Sequence, residues 1–259
     1  VSNYDSVVLA DGPVAFWPLN ETVGATAADA TGHGHHGIIT AGCSLGQPGI
    51  GDGEGSIGFD GTIGHVGVAA VALLQPNVGP WSAECWFKTR STGSQTGAVL
   101  SMGGGYQPHA GTGLLAVLSG GSGIDAARET ATVVTDGAWH YGAVTWLGST
   151  SPTAFYVDGA FRTATIASLS GQPVVTPSAP LLIGASPLFA GQIAKPAVYA
   201  KALSASQVAA HYQAAQPASP PPPGSAIIAV RVDGTGASCA ITIGASSGPP
   251  GPITPPIIT

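Results

Sequence analysis

Charge is what this chain has least of. Only 8% of its 259 residues are charged, 13 Asp and Glu against 7 Lys and Arg, for a formal net charge of −6. An ordinary soluble domain carries about 25%. The cations stand singly, so no basic stripe exists to neutralise phosphates, which excludes nucleic acid as a partner. Cysteine is scarce too. Cys43, Cys85 and Cys239 are odd in number and far apart, which excludes a disulfide framework and a cysteine metal site. No apolar run approaches the ~20 residues that cross a bilayer, so membrane insertion is not expected. No n-region and h-region stand at the head of the sequence. Disorder from self-repulsion is excluded as well, because it needs high charge with low hydrophobicity. The surface must be covered by small neutral residues, as in proteins packed into assemblies.

What is abundant points one way. Gly (39) and Pro (22), with much Thr, Ser, Val and Ala, suit short strands joined by many turns. Strand candidates fall at 13–19, 55–61, 65–69, 82–89, 97–103, 113–119, 138–148, 153–165, 180–186 and 189–200. Their spacing, punctuated by Gly, Pro and Asp-Gly, predicts an all-β antiparallel sandwich or jelly roll. In "YVDGAF", Asp158-Gly159 suits the two positive φ angles of a type I′ hairpin. One short helix closes this region. Ser204 is its N-cap, Gln207 completes a capping box, and Leu203 and Val208 form a hydrophobic staple. Val208, Tyr212 and Ala215 make its apolar face before Pro217 stops it. A helical turn is expected over Tyr4 to Leu9.

Composition breaks at "QPASPPPPGS", residues 216–225, a semi-rigid polyproline spacer. The domains are therefore read as 1–215, the linker 216–225, and a β-hairpin with an extended arm over 226–259. A lone hairpin is marginal in water, so this segment is expected to anchor on a partner.

The larger region resembles the laminin G-like, concanavalin A-like jelly-roll superfamily, in the version found in bacterial and bacteriophage proteins. The resemblance rests on "DGPVAFWPLNETVGATAADATGHGHHG", "LGQPGI…SIGFDG…HVGV", "WSAECWFKT", "DGAWHYGAVTW…AFYVDGAFRT" and "FAGQIAKPAVYAKALSASQVAAHY", in family order over residues 4–213. It implies two curved antiparallel sheets and, in many members, a glycan- or protein-binding role. It further implies Ca²⁺ held near the opening loop by Asp29, helped by an acidic pair on the last strand. Here that pair is replaced: Ile193 is followed by Ala194 and Lys195, which brings an ammonium towards the cation's place. Hard cations need several oxygen ligands.

The candidate site residues follow. "DATGHGHHG" gathers His33, His35 and His36 beside Asp29. A zinc site is disfavoured, because adjacent His35 and His36 point apart in an extended loop; turn histidines are the simpler reading. Trp81 at a strand entrance, Tyr106 and His109 in "GGGYQPHAG", and His35 are the candidate sugar-binding residues. Trp17, Trp86 and Trp139 match family core positions. No strand carries the paired carboxylates of a jelly-roll glycosidase. Asp52 and Glu54, the close acidic pair, lie in a Gly-rich loop, and Glu84 reads as a structural hydrogen-bonding group. No catalytic residue is assigned.

The expected function is a non-enzymatic virion surface protein, a phage tail or capsid decoration that displays a lectin-like domain for host-surface glycan. Residues 226–259 would join it to other virion proteins, with homo-oligomers in the assembly. The alternatives are a decoration protein that binds no glycan and a secreted, extracellular carbohydrate-binding protein.

Overall fold

The computed structural model describes residues 1–74, 79–90, 97–102, 107–110, 114–120, 123–128, 134–147, 154–163, 165–168, 180–185, 187–216, 226–231 and 238–243. In 107–110, 114–120, 123–128, 165–168 and the two strands beyond residue 225 the description is of backbone alone. The chain divides into two units, Val1–Gln216 and Pro217–Thr259.

The first unit is built on a large antiparallel sheet. Its strands run in the order β15 (Ala160–Arg162), β14 (Ala154–Val157), β13 (Trp139–Trp146), β7 (Trp81–Thr89), β18 (Ala190–Tyr199), β5 (Gly55–Asp60) and β4 (Cys43–Pro48). The short β1 (Ala15–Phe16) pairs with the far end of β18. A second sheet contains β2 (Thr26–Ala27), β3 (Gly37–Ile39), β6 (Val66–Val68), β17 (Leu181–Ile183) and β9 (Leu100–Met102). A third runs β16 (Thr165–Ser168), β12 (Gly123–Arg128), β11 (Leu114–Gly120), β10 (Gln107–Ala110) and β8 (Gly97–Ala98). Two helices, α1 (Asn3–Ala10) and α2 (Ala205–Ala214), complete the unit. The all-β sandwich expected from the sequence is the observed architecture. No helix among the described residues is long and apolar enough to cross a membrane.

The strand β7 shows why the sheet has two packed faces. Trp81, Ala83, Cys85 and Phe87 point into the core between the sheets, with Trp17, Ile57, Phe59, Val66 and Val68. The alternate residues point the other way, where Trp86 joins Tyr4, Val8, Phe16, Tyr141, Tyr199, Leu203 and Val208 beneath the helices. A strand buried on both faces reads as a nearly continuous apolar run, as "WSAECWF" does. Trp86 stacks on Tyr212 of α2, with centroids 5.6 Å apart and planes at 16°.

Local signals are realised as expected. Asp158 and Gly159 adopt φ of 52° and 75° between β14 and β15. Ser204 caps α2, its side chain accepting from the Gln207 N–H while the Gln207 side chain bonds back to the cap. Leu203 and Val208 are buried together. The expected turn over Tyr4 to Leu9 is the full helix α1, capped by Ser2. The strand β4 was not expected: its Cys-Ser-Leu-Gly-Gln-Pro run is half exposed and polar because it is the sheet's edge, where Pro48 is tolerated. In the second unit, β19 (Ala226–Arg231) pairs with β20 (Ser238–Ile243) as an antiparallel hairpin.

Candidate functional site

The outward face of the large sheet is divided in two. One end is covered by the helices and sealed by Glu84, which is 1% exposed. Tyr199 Oη donates to Glu84 Oε1 (3.0 Å), Tyr141 Oη to Oε2 (2.5 Å), and Tyr4 Oη lies at 3.4 Å. His211 Nδ1 of α2 reaches the same carboxylate at 2.9 Å, and its Nε2 meets Asp11 Oδ2 at 2.9 Å. With a carboxylate on each ring nitrogen, His211 is held as an imidazolium. Burial pulls its pKa down, but Glu84 and Asp11 outweigh that and raise it. Burial, reinforced by Glu84, pushes the hydroxyls of Tyr4, Tyr141 and Tyr199 well above their usual pKa. Apart from Asp11, this network is closed to solvent, and it fastens both helices to the sheet. Glu84 does the structural work expected of it; His211 was missed, although a histidine three residues after Val208 falls on the helix's apolar face.

The other end of the same face is open. Lys88 on β7 opposes Gln192 on β18, Gln192 opposes Gly58 on β5, and Gly58 opposes Ser44 on β4. Directly opposed residues of an antiparallel sheet share a face, so these four form one outward row. The row continues to Trp139 on β13, the partner of Lys88. Gly58 leaves a gap in it, and a cavity of about 300 Å³ opens there, lined also by Gln47, Asp60, Thr89, Arg90, Gly137 and Gly191. That volume lies at the small end of ligand pockets. Gly191 is required: a Cβ there would stand 2.1 Å from the Lys88 carbonyl oxygen.

The polar groups of the cavity differ in how far they are engaged. Asp60 is committed to its own loop, accepting from the backbone N–H of Thr62, Ile63 and Gly64 and from the Thr62 hydroxyl at 2.6–3.0 Å. These bonds hold its pKa well below the usual carboxylate range. Arg90 donates to the carbonyls of Phe59 and Asp60 at 3.1 and 3.2 Å. The side chains of Lys88, Gln192 and Ser44 have no hydrogen-bond or ionic partner among the described residues. Gly42 to Gly46 spells Gly-x-Ser-x-Gly. Ser44 nevertheless lies within β4 and not on a strand-to-helix elbow, and no histidine is among the described residues that line the cavity.

Of the expected site residues, Trp81, His35 and Asp29 do not line this cavity. Trp81 is 2% exposed, inside the core between the sheets, so the expectation of an exposed platform is corrected. Its place at a strand start hid that β7 is the centre of the sheet. Tyr106 lies outside the described residues, as does the His109 side chain; the His109 backbone is part of β10. Trp139 is half-exposed instead of fully buried, because the helix-covered cluster ends there.

The histidine turn is tied by Asp29. Its Oδ1 accepts from Phe16 N–H (3.2 Å), Thr31 N–H (3.0 Å) and the Thr31 hydroxyl (2.7 Å), and its Oδ2 from His35 N–H (3.0 Å). Burial raises the Asp29 pKa, but these bonds prevail and lower it. His36 Nδ1 accepts from Asp29 N–H, His33 Nδ1 donates to the Val14 carbonyl, and the His35 carbonyl accepts from Trp17 Nε1 at 2.7 Å. The His35 ring is half-exposed and the other two are exposed.

Among the described residues, a metal-sized group of acidic ligands occurs elsewhere, at Asp5, Asp52 and Glu54. Lys195 Nζ already fills it. It lies 2.8 Å from Asp5 and 3.1 Å from Asp52 and in direct contact with Glu54, and its side chain is fully buried. Burial lowers the lysine's pKa, yet the carboxylates more than compensate and raise it. A divalent cation would have to displace this ammonium, and at Asp29 it would have to displace the turn's own donors. At neither place do the residues fit a resident calcium ion.

No curated protein matches the chain significantly. The binding domain of Paraclostridial Mosquitocidal Protein 1 is similar with a TM-score of 0.64 at 12% identity, over 79% of this chain and 52% of that one. The binding domain of botulinum neurotoxin DC, solved with SialylT, gives 0.62 at 11% over 80% and 52%. Domain 4 of AbnA, a GH43 extracellular arabinanase of Geobacillus stearothermophilus solved with arabinotriose, gives 0.58 at 19% over 78% and 98%. The likeness is one of fold, and the chain spans about half the length of the two toxin domains. The family model for the concanavalin A-like lectin/glucanases superfamily matches residues 59–209, more than half the sequence, with β7, β13 and β18 of the open face inside the match, and the chain belongs to that superfamily.

Proposed function

We propose that the first unit is a non-enzymatic glycan-binding module and that the cavity beside Gly58 is its site. The observation that carries this reading is the outward row Ser44–Gly58–Gln192–Lys88–Trp139. It sets unengaged donors and acceptors around a gap, with a half-exposed indole at the end. Sugars are bound in that manner, hydroxyls by planar polar groups and the C–H face of the ring by an aromatic face. Two of the similar folds were solved with saccharides or a sialyl compound named as their ligand, which is consistent with this use of the architecture. Hydrolysis would need two carboxylates across the cleft. The carboxylate among the described lining residues is Asp60, and its oxygens are held by its own loop.

We further propose that the module is displayed on a virion, held through residues 226–259, on a phage tail or capsid. Support comes from the Pro-rich spacer and from the two-stranded β19–β20 sheet, whose edges suit strand addition to a partner. Immunogold labelling of purified particles with antibody to the first unit tests this; particles without label would overturn it.

The glycan site is tested by an oligosaccharide panel on the full chain and on Gly58→Val. A Cβ at Gly58 meets nothing closer than 3.4 Å, so the fold tolerates the change while the added methyls fill the gap. Binding by the wild type and loss in Gly58→Val, at unchanged melting temperature, is the expected result. Equal binding by both would place the site elsewhere.

A further inference from the structure

We infer that the cavity takes an anionic sugar, with Lys88 as its charge contact; this rests on the glycan-binding reading above. The chain holds only 7 Lys and Arg, and two of them, Lys88 and Arg90, line this one cavity. Their treatment differs from that of the other lysines. Lys195 is surrounded by three carboxylates and Lys201 has Asp11 at 3.9 Å. Among the described residues Lys88 has no carboxylate partner, although its half-buried place weakens the solvation that would otherwise stabilise the ammonium. Among the described residues Arg90 bonds only to neutral carbonyls, which fix its guanidinium at the rim without cancelling its charge.

The one acidic side chain in the described lining does not offset this. The donors on Asp60 come from residues 62–64, so its carboxylate is held by that loop rather than paired with Lys88. Two cations against one carboxylate leave the lining one unit positive, in a chain whose formal charge is −6. A positive spot on an acidic surface selects for negative ligands, because a neutral sugar gains nothing from it. Gln192 and Ser44, beside Lys88 in the row, are then left to bond ring hydroxyls.

Carboxylated sugars (uronic or sialic acids) and sulfated sugars share this chemistry, so the test uses both. The full chain is titrated with a trigalacturonate, a sialyllactose, a sulfated trisaccharide and a neutral trisaccharide. An anionic sugar should bind about tenfold more tightly than the neutral one, the effect of one charge-assisted bond. The preference should shrink as salt shortens the Debye length, and Lys88→Gln should abolish it. A preference for the carboxylated or for the sulfated ligand supports the inference and names the source. Binding of the neutral sugar as tightly as the anionic ones overturns it and leaves the glycan reading standing. Binding of none overturns both. Lys88→Gln makes no lost hydrogen bond, so an unchanged melting temperature separates altered binding from altered folding.

Discussion

Lys195 stands among three carboxylates, Asp5, Asp52 and Glu54. It adopts φ of 59°, in the left-handed region, where β18 bulges between Ala194 and Ala197. A non-glycine residue there costs about 1 kcal/mol or more, and the bulge aims the ammonium at Asp5, Asp52 and Glu54. Removing it leaves buried carboxylates unpaired, so Lys195→Met should lower unfolding free energy by about 3–5 kcal/mol in urea titrations. Calcium or chelator should leave the wild-type melting temperature unchanged, while Lys195→Ser, with the cage emptied, should melt higher in millimolar calcium. A wild type that melts lower in chelator would contradict the account. The acid limb has its own sign. Burial works against Glu54, but Lys195 prevails and lowers its pKa from 4.5 to about 2. Its contribution is therefore present above about pH 4.5 and lost as pH falls towards 2. Asp5 runs oppositely, raised chiefly by burial. The sequence shows Lys195 standing where an acid was expected, but not its partners, because Asp5 is 190 residues away along the chain.

The helix α2 is where local and distant information meet. Its capping box is written within four residues, and a hairpin turn within two, so both were legible. Ser204→Ala should cost about 1 kcal/mol, measured by chemical denaturation. His211 was not legible, since the carboxylate that holds it lies 127 residues away on β7. Its raised pKa fixes the sign of a pH effect. The imidazolium's stabilisation is fully present below its unfolded pKa of about 6.5 and is lost as pH rises through the higher folded value. Melting temperature should therefore fall between pH 6 and 9 in the wild type, and Glu84→Gln should flatten that slope. A wild type insensitive to pH in this range would count against a charged His211.

For the whole molecule, one sheet face serves two ends: helices and a closed Glu84 network at one, an open polar cavity at the other. The fold was readable because alternation and turn residues are local properties of each strand. The cavity was not, because Ser44, Gly58, Lys88 and Gln192 come from four strands spread over 149 positions and meet only through register. Aromatic residues drew attention to Trp81, whereas the open face is made mostly by a glycine and neutral polar side chains. The first unit has its own two buried clusters, so deletion of residues 217–259 should leave its melting temperature and its sugar binding unchanged while abolishing assembly with partners. The most direct measurement is calorimetric titration of the full chain and of Gly58→Val with the neutral and anionic oligosaccharides. The account predicts saturable binding to the wild type that is lost in Gly58→Val at an unchanged melting temperature; equal binding by both proteins, or none by the wild type, would contradict it.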